Sequence, residues 1–355
     1  MEQTTLPRAR PASDYTDLAR QMQDAGLMQR RYGYYSAKVG GLVLAMAGAG
    51  AAFVLLGDSW WQLVVAAVLA VLLTQLAFLG HDAAHRQIFV SGRRNEWAAL
   101  VLVDLLSGFS AGWWTHKHTK HHAAPNQEGK DPDIGPGVLA FTPAVAAERG
   151  AVGGFLAARQ GWFFFPLLLL EGLNLHAQSI TLLCGRSAPK RRWTELSFIA
   201  LRLGSYVAVL LLMLPLGMAA AFLAVQLGLF GLYMGASFAP NHKGMPLVPP
   251  GLKVDFLRRQ VLMSRNISGG RAMSFAMGGL DHQIEHHLFP SMPRPNLRKA
   301  RDIVRPYLRD RGVHYTEMSL LRSYGTVVRY LNQVGLGAGR DPFQCPLVTT
   351  YRHAA

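Results

Sequence analysis

Cysteine and charge are both scarce in this chain of 355 residues, and each shortage excludes a class of protein. The two cysteines, Cys184 and Cys345, are too few for a disulfide framework and do not have the spacing of metal ligands. Any bound metal must therefore be held by nitrogen and oxygen atoms. Only 16% of the residues are charged and 50% are hydrophobic, which is more apolar than an ordinary soluble domain.

Several sequence signals are also absent. Residues 1–33 are polar and of mixed charge, without the short apolar core and small-residue cleavage site of a secretory leader, so they predict a cytosolic N-terminal segment. The chain has no His-Pro-Gly-Gly haem motif, no flavin-binding fingerprint and no cysteine cluster for iron–sulfur. If the chemistry needs electrons, they must come from another protein.

Long hydrophobic runs are what the chain does contain. Four runs approach the length of about 20 residues that a helix needs to cross a membrane. They cover residues 34–57, 60–80, 197–215 and 218–240. The sequence therefore predicts an all-α integral membrane protein with four transmembrane helices in two hairpins.

Basic residues are distributed unevenly around these runs. The turns at 57–60 and 216–217 carry none, whereas segment 186–192 carries four, and residues 243–355 carry 17 Lys and Arg against 7 Asp and Glu. The positive-inside rule then places both turns outside and the remaining segments in the cytosol. We therefore assign the net charge of +15 to the membrane and not to nucleic acid, for which no motif is present.

Two further apolar runs, 97–114 and 162–184, are predicted to be interfacial or buried helices and not spans. A fifth crossing would place the basic C-terminal segment outside, and the second run carries polar residues that are costly in lipid. The predicted segments are a cytosolic N-terminal segment (1–33), a first hairpin (34–80), a cytosolic and interfacial region (81–196), a second hairpin (197–240) and a cytosolic cap (241–355).

Histidine is the residue that indicates chemistry, because nine of the thirteen histidines fall into three clusters. Their spacings of i, i+3 and i+4 place imidazoles on one face of a helix. Imidazole suits iron, zinc, copper and nickel, and a structural zinc takes four ligands. At least seven well-placed rings favour two metals. The clusters are box one (His81 and His85), box two (His116, His118, His121 and His122) and box three (His282, His286 and His287).

Other polar residues near the boxes are candidates for the same site. His242 directly follows the fourth run and is predicted to complete the site. Asp82 and Glu285 lie inside boxes one and three, where a carboxylate commonly accepts the distal ring N–H of a ligand. Asp131 and Asp133 are predicted to order a loop. Trp113 and Trp114 are predicted to line a substrate tunnel or to belong to an interfacial belt. The remaining possible ligands or neighbours are Gln283, Asn241, His116, His176 and His282, of which His176 is predicted to be a packed core histidine.

The boxes His-Asp-x-x-His, His-x-x-His-His and Gln-x-x-His-His resemble those of the membrane fatty-acid desaturases. The strings at 113–126, 129–134 and 282–290 are similar to those of its front-end and related bacterial acyl desaturase branch, and the resemblance covers roughly residues 35–310. It implies a cytoplasmic-membrane enzyme whose cytosolic helical cap holds a non-haem di-iron centre. Such an enzyme uses O2 to introduce a cis double bond into a fatty-acyl chain. The iron ligands that the resemblance implies are His81, His85, His118, His121, His122, His286 and His287, with His242 as the additional histidine after the last span.

Two departures from the family pattern affect the expected partners. Gln283 stands where many relatives have histidine, and no cytochrome b5 motif precedes the first hydrophobic run. We therefore expect an external electron donor, a ferredoxin with its reductase, and a substrate carried as acyl-CoA, on acyl carrier protein or in a lipid. A basic helical face for the donor, or for anionic lipid, is predicted from Arg294, Arg298, Arg301, Arg305 and Arg309.

Three other functions share part of this pattern. A membrane di-iron hydroxylase of the alkane, sterol or carotenoid type would use a similar cage, but the string at 283–290 favours a desaturase. A metal transporter would place its polar ligands in the middle of the spans, whereas these histidines lie at span ends. A membrane-bound metal sensor would bind metal without needing an acyl tunnel.

Overall fold

A computed structural model describes residues 13–336, and almost all of its regular structure is helical. Cys345 and the outer parts of the two predicted terminal segments lie outside the described residues. The α-helices are α1 (Asp14–Asp24), α2 (Tyr32–Leu56), α3 (Gln62–Ala84), α4 (Gly92–Ala99), α5 (Ala111–Ala123), α6 (Pro143–Ala147), α7 (Ala151–Ala157), α8 (Gln160–Leu168), α9 (Glu171–Cys184), α10 (Arg192–Met213), α11 (Leu216–His242), α12 (Phe256–Leu262), α13 (Arg271–Ala276), α14 (Gln283–Leu288), α15 (Arg294–Arg309) and α16 (Leu320–Leu336). A π-helix covers Leu100–Leu105, and 3-10 turns cover Pro132–Ile134 and Leu280–His282.

The four predicted apolar runs form the four long apolar helices α2, α3, α10 and α11, each long and apolar enough to cross a membrane. A buried glutamine, Gln62, closes the first hairpin by donating to the carbonyls of Phe53 and Gly57. Helices α3 and α11 pack against each other along their length, with Phe78 and Phe230 fully buried. The expected number of long apolar helices and the all-helical class are confirmed.

The C-terminal ends of α3 and α11 extend beyond their predicted limits, to Ala84 and His242. Pro240 does not end α11, although a proline cannot donate the backbone hydrogen bond to the carbonyl four residues earlier. The hydroxyl of Tyr324 donates to that carbonyl, Ala236 O, at 2.9 Å instead. His81 lies in the extension of α3, and His242 lies in the extension of α11.

Neither of the two predicted interfacial helices is continuous. The first is divided into α4, the π-helix and the start of α5, because Gly108 adopts a left-handed φ of 89° and Ser110 caps α5. The second bends by 74° between α8 and α9. At about 1.5 Å per residue these two helices are about 13 and 21 Å long, each shorter than a hydrocarbon core of about 30 Å. A side chain at Gly172, at the start of α9, would overlap the backbone of Leu227 on α11, so glycine permits close packing of these two helices.

The segment after α11 has its own apolar core, formed by helices α12, α14 and α15 together with α1 from the N-terminus. Leu18, Ile284 and Val304 are fully buried in this core. The only strands among residues 13–336 are two parallel three-residue strands, β1 (Asn266–Ser268) and β2 (Glu317–Ser319). This core holds box three against the ends of α3 and α11.

Candidate metal centre

Box one lies at the end of α3, where the helix is buried on all sides. Gly80 precedes His81, and a side chain there would overlap Val103 of the π-helix, so glycine permits close packing at this point. His81 is 5% exposed, and its ring lies 4.7 Å from that of His85, centroid to centroid. The i, i+4 spacing therefore places both rings on one side, as predicted.

Box two lies on α5, a helix that begins at a serine cap. The hydroxyl of Ser110 accepts a hydrogen bond from the backbone N–H of Trp113 at 2.8 Å. His118 and His121 are buried on the inner face of the helix. The Trp114 ring stacks on the His118 ring with centroids 4.1 Å apart, which restricts the orientation of that imidazole.

Box three lies on the short helix α14, every residue of which is buried. The chain enters through Gly278 and Gly279, both with positive φ, and side chains at these positions would overlap Phe78 and Arg294. The side-chain oxygen of Asn266 then accepts the backbone N–H of Ile284 at 2.8 Å.

The fold brings the three boxes and His242 together as two adjacent groups of donor atoms. Within each group, one donor atom per residue lies within 4.8 Å of the others. The first group is His81, His85, His118 and His286; the second group is His121, His242 and His287. His122 lies between the two groups, with its Nε2 3.0 Å from that of His118 and its ring stacked on His287 at 4.1 Å.

These residues fit a metal, because several buried ring nitrogens have no other partner. The Nε2 atoms of His81, His85, His286 and His287 are buried without a hydrogen bond. An unpaired buried polar atom costs free energy that a metal–ligand bond would remove. Burial also holds the pKa values of His85, His118, His122, His286 and His287 well below the usual range, which keeps the rings neutral, the form that binds metal.

In the second group the tautomers are fixed by partners on Nδ1. His242 Nδ1 donates to the carbonyl of Met263, and His287 Nδ1 is bonded to Gln260 Oε1, both at 2.9 Å. His121 Nδ1 lies 3.0 Å from an Asp131 carboxylate oxygen. All three Nε2 atoms therefore face the centre of the group.

Two of these Nε2 atoms, on His121 and His242, lie only 3.2 Å apart. If both rings are neutral, two lone pairs face each other, so a proton or a metal ion must lie between them. Burial opposes charge on His121, but Asp131 raises its pKa above the usual value, so a cation is favoured at this position. A metal ion satisfies all three nitrogens of the group, whereas a single proton satisfies two.

Asp131 orders its loop, as predicted, and it also contacts the His121 ring, which was not predicted. Its carboxylate also accepts the backbone N–H groups of Asn126 and Asp133, at 2.7 and 2.9 Å. Burial opposes ionisation, but the hydrogen bond and charge of His121 lower the pKa of Asp131. The signal available in the sequence was the string Asp-Pro-Asp at 131–133, ten residues after His121.

The two carboxylates inside the boxes have different surroundings. Asp82 Oδ1 lies 3.6 Å from His81 Nδ1, and Oδ2 pairs with the buried guanidinium of Arg294 at 2.8 Å. Glu285 accepts hydrogen bonds from Asn266 at 2.7 Å and Tyr315 at 2.8 Å, where a histidine ring was predicted. Glu285 therefore holds α14 against β1 and against the loop that precedes β2.

Gln283 and Asn241 form a hydrogen-bonded chain that ends at the second group. Asn241 donates to the carbonyl of Leu280, which can only accept, and through the same amide nitrogen to Gln283 Oε1, both at 2.9 Å. This orientation turns the Gln283 amide nitrogen toward His242 Nε2, 2.9 Å away. Gln283 therefore presents a donor to the second group and not an oxygen ligand.

The remaining candidate histidines lie outside both groups. His116 is exposed on the outer face of α5. His176 is half-buried on α9, and its Nδ1 donates to the carbonyl of Gly172 at 2.6 Å, in agreement with its predicted packing role. His282 is buried before α14, with its Nε2 3.5 Å from Asp281.

A comparison with known proteins identifies the family. A sequence model of the family "Fatty acid desaturase" matches residues 58–319. The chain belongs to the fatty acid desaturase family. This match includes all three boxes and His242.

Individual members of the family are similar over most of this chain. It is 28% identical to the acyl-lipid (9-3)-desaturase of Physcomitrium patens, over 79% of this chain and 56% of the relative. It is 27% identical to a Delta(8)-fatty-acid desaturase of Helianthus annuus, over 92% and 74%. A fatty acid desaturase 2-like protein of Mus musculus is 27% identical over 78% and 57%. The chain thus spans between about half and three quarters of the length of these relatives.

Proposed function

We propose that this protein is a membrane-bound, O2-dependent fatty-acyl desaturase that introduces a cis double bond at a non-haem di-iron centre. The observation that carries the proposal is the pair of adjacent histidine groups in a buried site, with His122 between them. The seven imidazoles of the two groups, together with His122, exceed the four ligands that a single structural zinc takes. Two irons bound by these residues would activate O2 for the removal of hydrogen from an unactivated acyl chain.

The residues of this chain hold and shield that centre. Seven histidines in the two groups and His122 are the proposed ligands. Asp131, Gln260 and the carbonyl of Met263 hold the rings of the second group in one tautomer. The donor atoms are buried, which excludes bulk water. Overall, the acyl chain loses two hydrogens and becomes an alkene. These two hydrogens, two electrons and two protons reduce O2 to two waters.

The substrate is proposed to be a fatty-acyl chain carried as acyl-CoA, on acyl carrier protein or in a lipid. Three relatives carry the names of acyl-lipid or fatty acid desaturases. Trp114, which stacks on His118 and lies 5.1 Å from the His81 ring, is the proposed apolar wall beside the reacting carbons. The bilayer would deliver the chain to the ends of α3 and α11.

We place the protein in the cytoplasmic membrane as a multi-pass protein with its metal centre facing the cytosol. The four long apolar helices support insertion, and the distribution of basic residues supports this orientation. Two electrons per turnover would come from an external donor, a ferredoxin with its reductase.

The function is tested by expression in a host whose lipids lack the product. Fatty-acid profiling should show a new alkene and not an alcohol, the product of a hydroxylase. His121→Ala and His286→Ala should abolish the product and lower bound iron, whereas His116→Ala, at an exposed histidine, should change neither. An active purified protein with stoichiometric zinc and no iron would overturn the di-iron proposal.

A further inference from the structure

Two buried carboxylates, Asp104 and Glu195, lie outside the metal centre. Within residues 13–336 their hydrogen bonds come from backbone N–H groups and a hydroxyl, and neither forms an ion pair with a cationic side chain. Asp104 is on the π-helix and is fully buried; Glu195 is in the first turn of α10 and is 2% exposed. Burying two negative charges together is costly unless one group keeps its proton. Burial and the neighbouring Glu195 raise the pKa of Asp104 well above the usual range.

Both carboxylates bind the N-terminus of α5, the helix that carries box two. Asp104 Oδ2 accepts the backbone N–H of Ala111 at 3.1 Å. Glu195 Oε2 accepts the N–H of Gly112 at 3.1 Å and the hydroxyl of Ser110, the α5 cap, at 2.5 Å. A negative charge at this end of a helix is stabilised by the unpaired N–H groups and by the helix dipole.

The same π-helix also packs against the residue that precedes box one. Val103, the neighbour of Asp104, packs on Gly80, the residue before His81. At the other contact, a side chain at Gly112 would lie 2.5 Å from Glu195 Oε1, so only glycine allows the carboxylate this close to the backbone. Asp104 thus connects the start of α5 to the π-helix, which packs beside box one, and Glu195 connects it to α10.

We infer that Asp104 and Glu195 form one positioning device, in which a single negative charge fixes the start of α5 and thereby places the box-two histidines relative to box one. The inference rests on the proposed metal centre but not on the identity of the substrate or product. Because the pair holds one charge, either carboxylate suffices: replacing one by its amide leaves the other to ionise. Replacing both removes the charge.

Metal binding by purified protein in detergent tests this. Co(II) affinity is followed by absorbance, without turnover, in Asp104→Asn, Glu195→Gln, the double variant and a control, Glu96→Gln. The Co(II) affinity of each single variant should stay within about twofold of that of the unsubstituted protein. The double variant should lose about tenfold or more, the effect of losing a residue that orients metal ligands. The inference would be overturned if a single variant lost as much Co(II) affinity as the double variant, or if the double variant lost none.

Thermal unfolding provides a second measurement if the double variant does not fold. A carboxyl with a raised folded-state pKa contributes stability at low pH and loses it as pH rises toward that pKa. Between pH 7 and 9 the unsubstituted protein should therefore lose stability relative to Asp104→Asn. The other ionisable groups nearby, His176, Arg202 and the Arg191–Glu96 pair, are present in both proteins and cancel. Equal slopes would contradict a proton held by the pair.

A failed desaturase assay would not affect either measurement. If the product proved to be an alcohol, the cobalt affinities and the unfolding slopes would still report on the carboxylate pair. If instead the metal centre were absent, the unsubstituted protein itself would not bind Co(II).

Discussion

Asp131 shows how one residue outside the boxes controls a ligand inside them. It accepts three N–H groups, one from the His121 ring and two from the backbone of its own loop. An asparagine at this position has one acceptor oxygen with two lone pairs and carries no charge, so it cannot accept from all three N–H groups.

Asp131→Asn should consequently weaken metal binding by about 10–100-fold, because the His121 ring loses its orientation. Metal content after dialysis against a graded chelator series measures this. Glu128→Gln, three residues away in the same loop, is the matched control and should bind metal normally. Equal retention of metal by both variants would show that the Asp131 contact does not support the site.

At the scale of secondary-structure elements, the C-terminal end of α11 is held by side chains from elsewhere in the chain. Pro240 and the helix terminus leave carbonyls that need donors. Arg265, which is 1% exposed, donates to the carbonyl of Pro240 through Nε at 2.7 Å and to that of Lys243 at 2.9 Å. Ser323 also donates to Pro240 O, at 2.8 Å. A cation at the C-terminus of a helix further stabilises the helix dipole.

Arg265→Met should therefore displace His242 while leaving the first histidine group in place. We expect bound iron to fall from about two toward about one per chain, since only the second group loses a ligand. Arg265→Lys keeps the charge and should retain more iron than the methionine variant. Arg271→Met, at an exposed arginine of α13, is the control. Iron near two in Arg265→Met would refute this role.

At the scale of the whole molecule, the positive-inside rule predicts which side of the membrane each turn faces. Lys190 and Asp58 are exposed on segments predicted to lie on opposite sides. In a background with Cys184 and Cys345 replaced by serine, Asp58→Cys should react with an impermeant thiol reagent in intact cells. Lys190→Cys should react only in inside-out vesicles or lysed cells, because the positive-inside rule retains it in the cytosol.

Labelling of Lys190→Cys from outside would make the bent pair α8 and α9 a fifth span. Each of these helices is too short to cross alone, but the pair together has sufficient length and hydrophobicity. A lysed-cell sample labelled in parallel controls for the accessibility of both positions.

The basic surface proposed for the electron donor is smaller than the sequence predicted. Arg294 is buried against Asp82 and faces box one, so it does not belong to the exposed surface. Arg298, Arg305 and Arg309 are exposed, with Glu317 near Arg305. A surface cavity of about 580 Å³ lies beside Arg305, Arg309 and Tyr315, and Tyr315 hydrogen-bonds to Glu285 of box three.

Charge reversal of Arg305 and Arg309 should raise the apparent KM for reduced ferredoxin several-fold and leave that for the acyl substrate unchanged. Long-range attraction between exposed charges is screened within about 8 Å at physiological salt, so added salt should reduce turnover steeply. Arg322→Glu and Arg329→Glu, exposed on α16, are the controls. Salt-independent turnover in neutral detergent would assign these arginines to anionic lipid instead.

The four long apolar helices and the box histidines could be predicted from the amino-acid sequence, because both depend on local patterns. Hydrophobic length predicts an apolar helix, and i, i+4 spacing places His81 and His85 on one face without reference to the rest of the chain. It also indicated His242 from its position directly after the fourth run.

Local patterns did not indicate which rings belong together or what holds them, because both depend on tertiary packing. His118 and His121 lie three residues apart on the same face of α5, and they belong to different groups because of how α3, α11 and α14 meet around that helix. Asp131 and Arg265 gain their roles from contacts with residues that are not their sequence neighbours, which no local periodicity encodes. The carboxylate pair is the clearest case, because Asp104 and Glu195 are 91 positions apart and meet only when α10 packs against the π-helix.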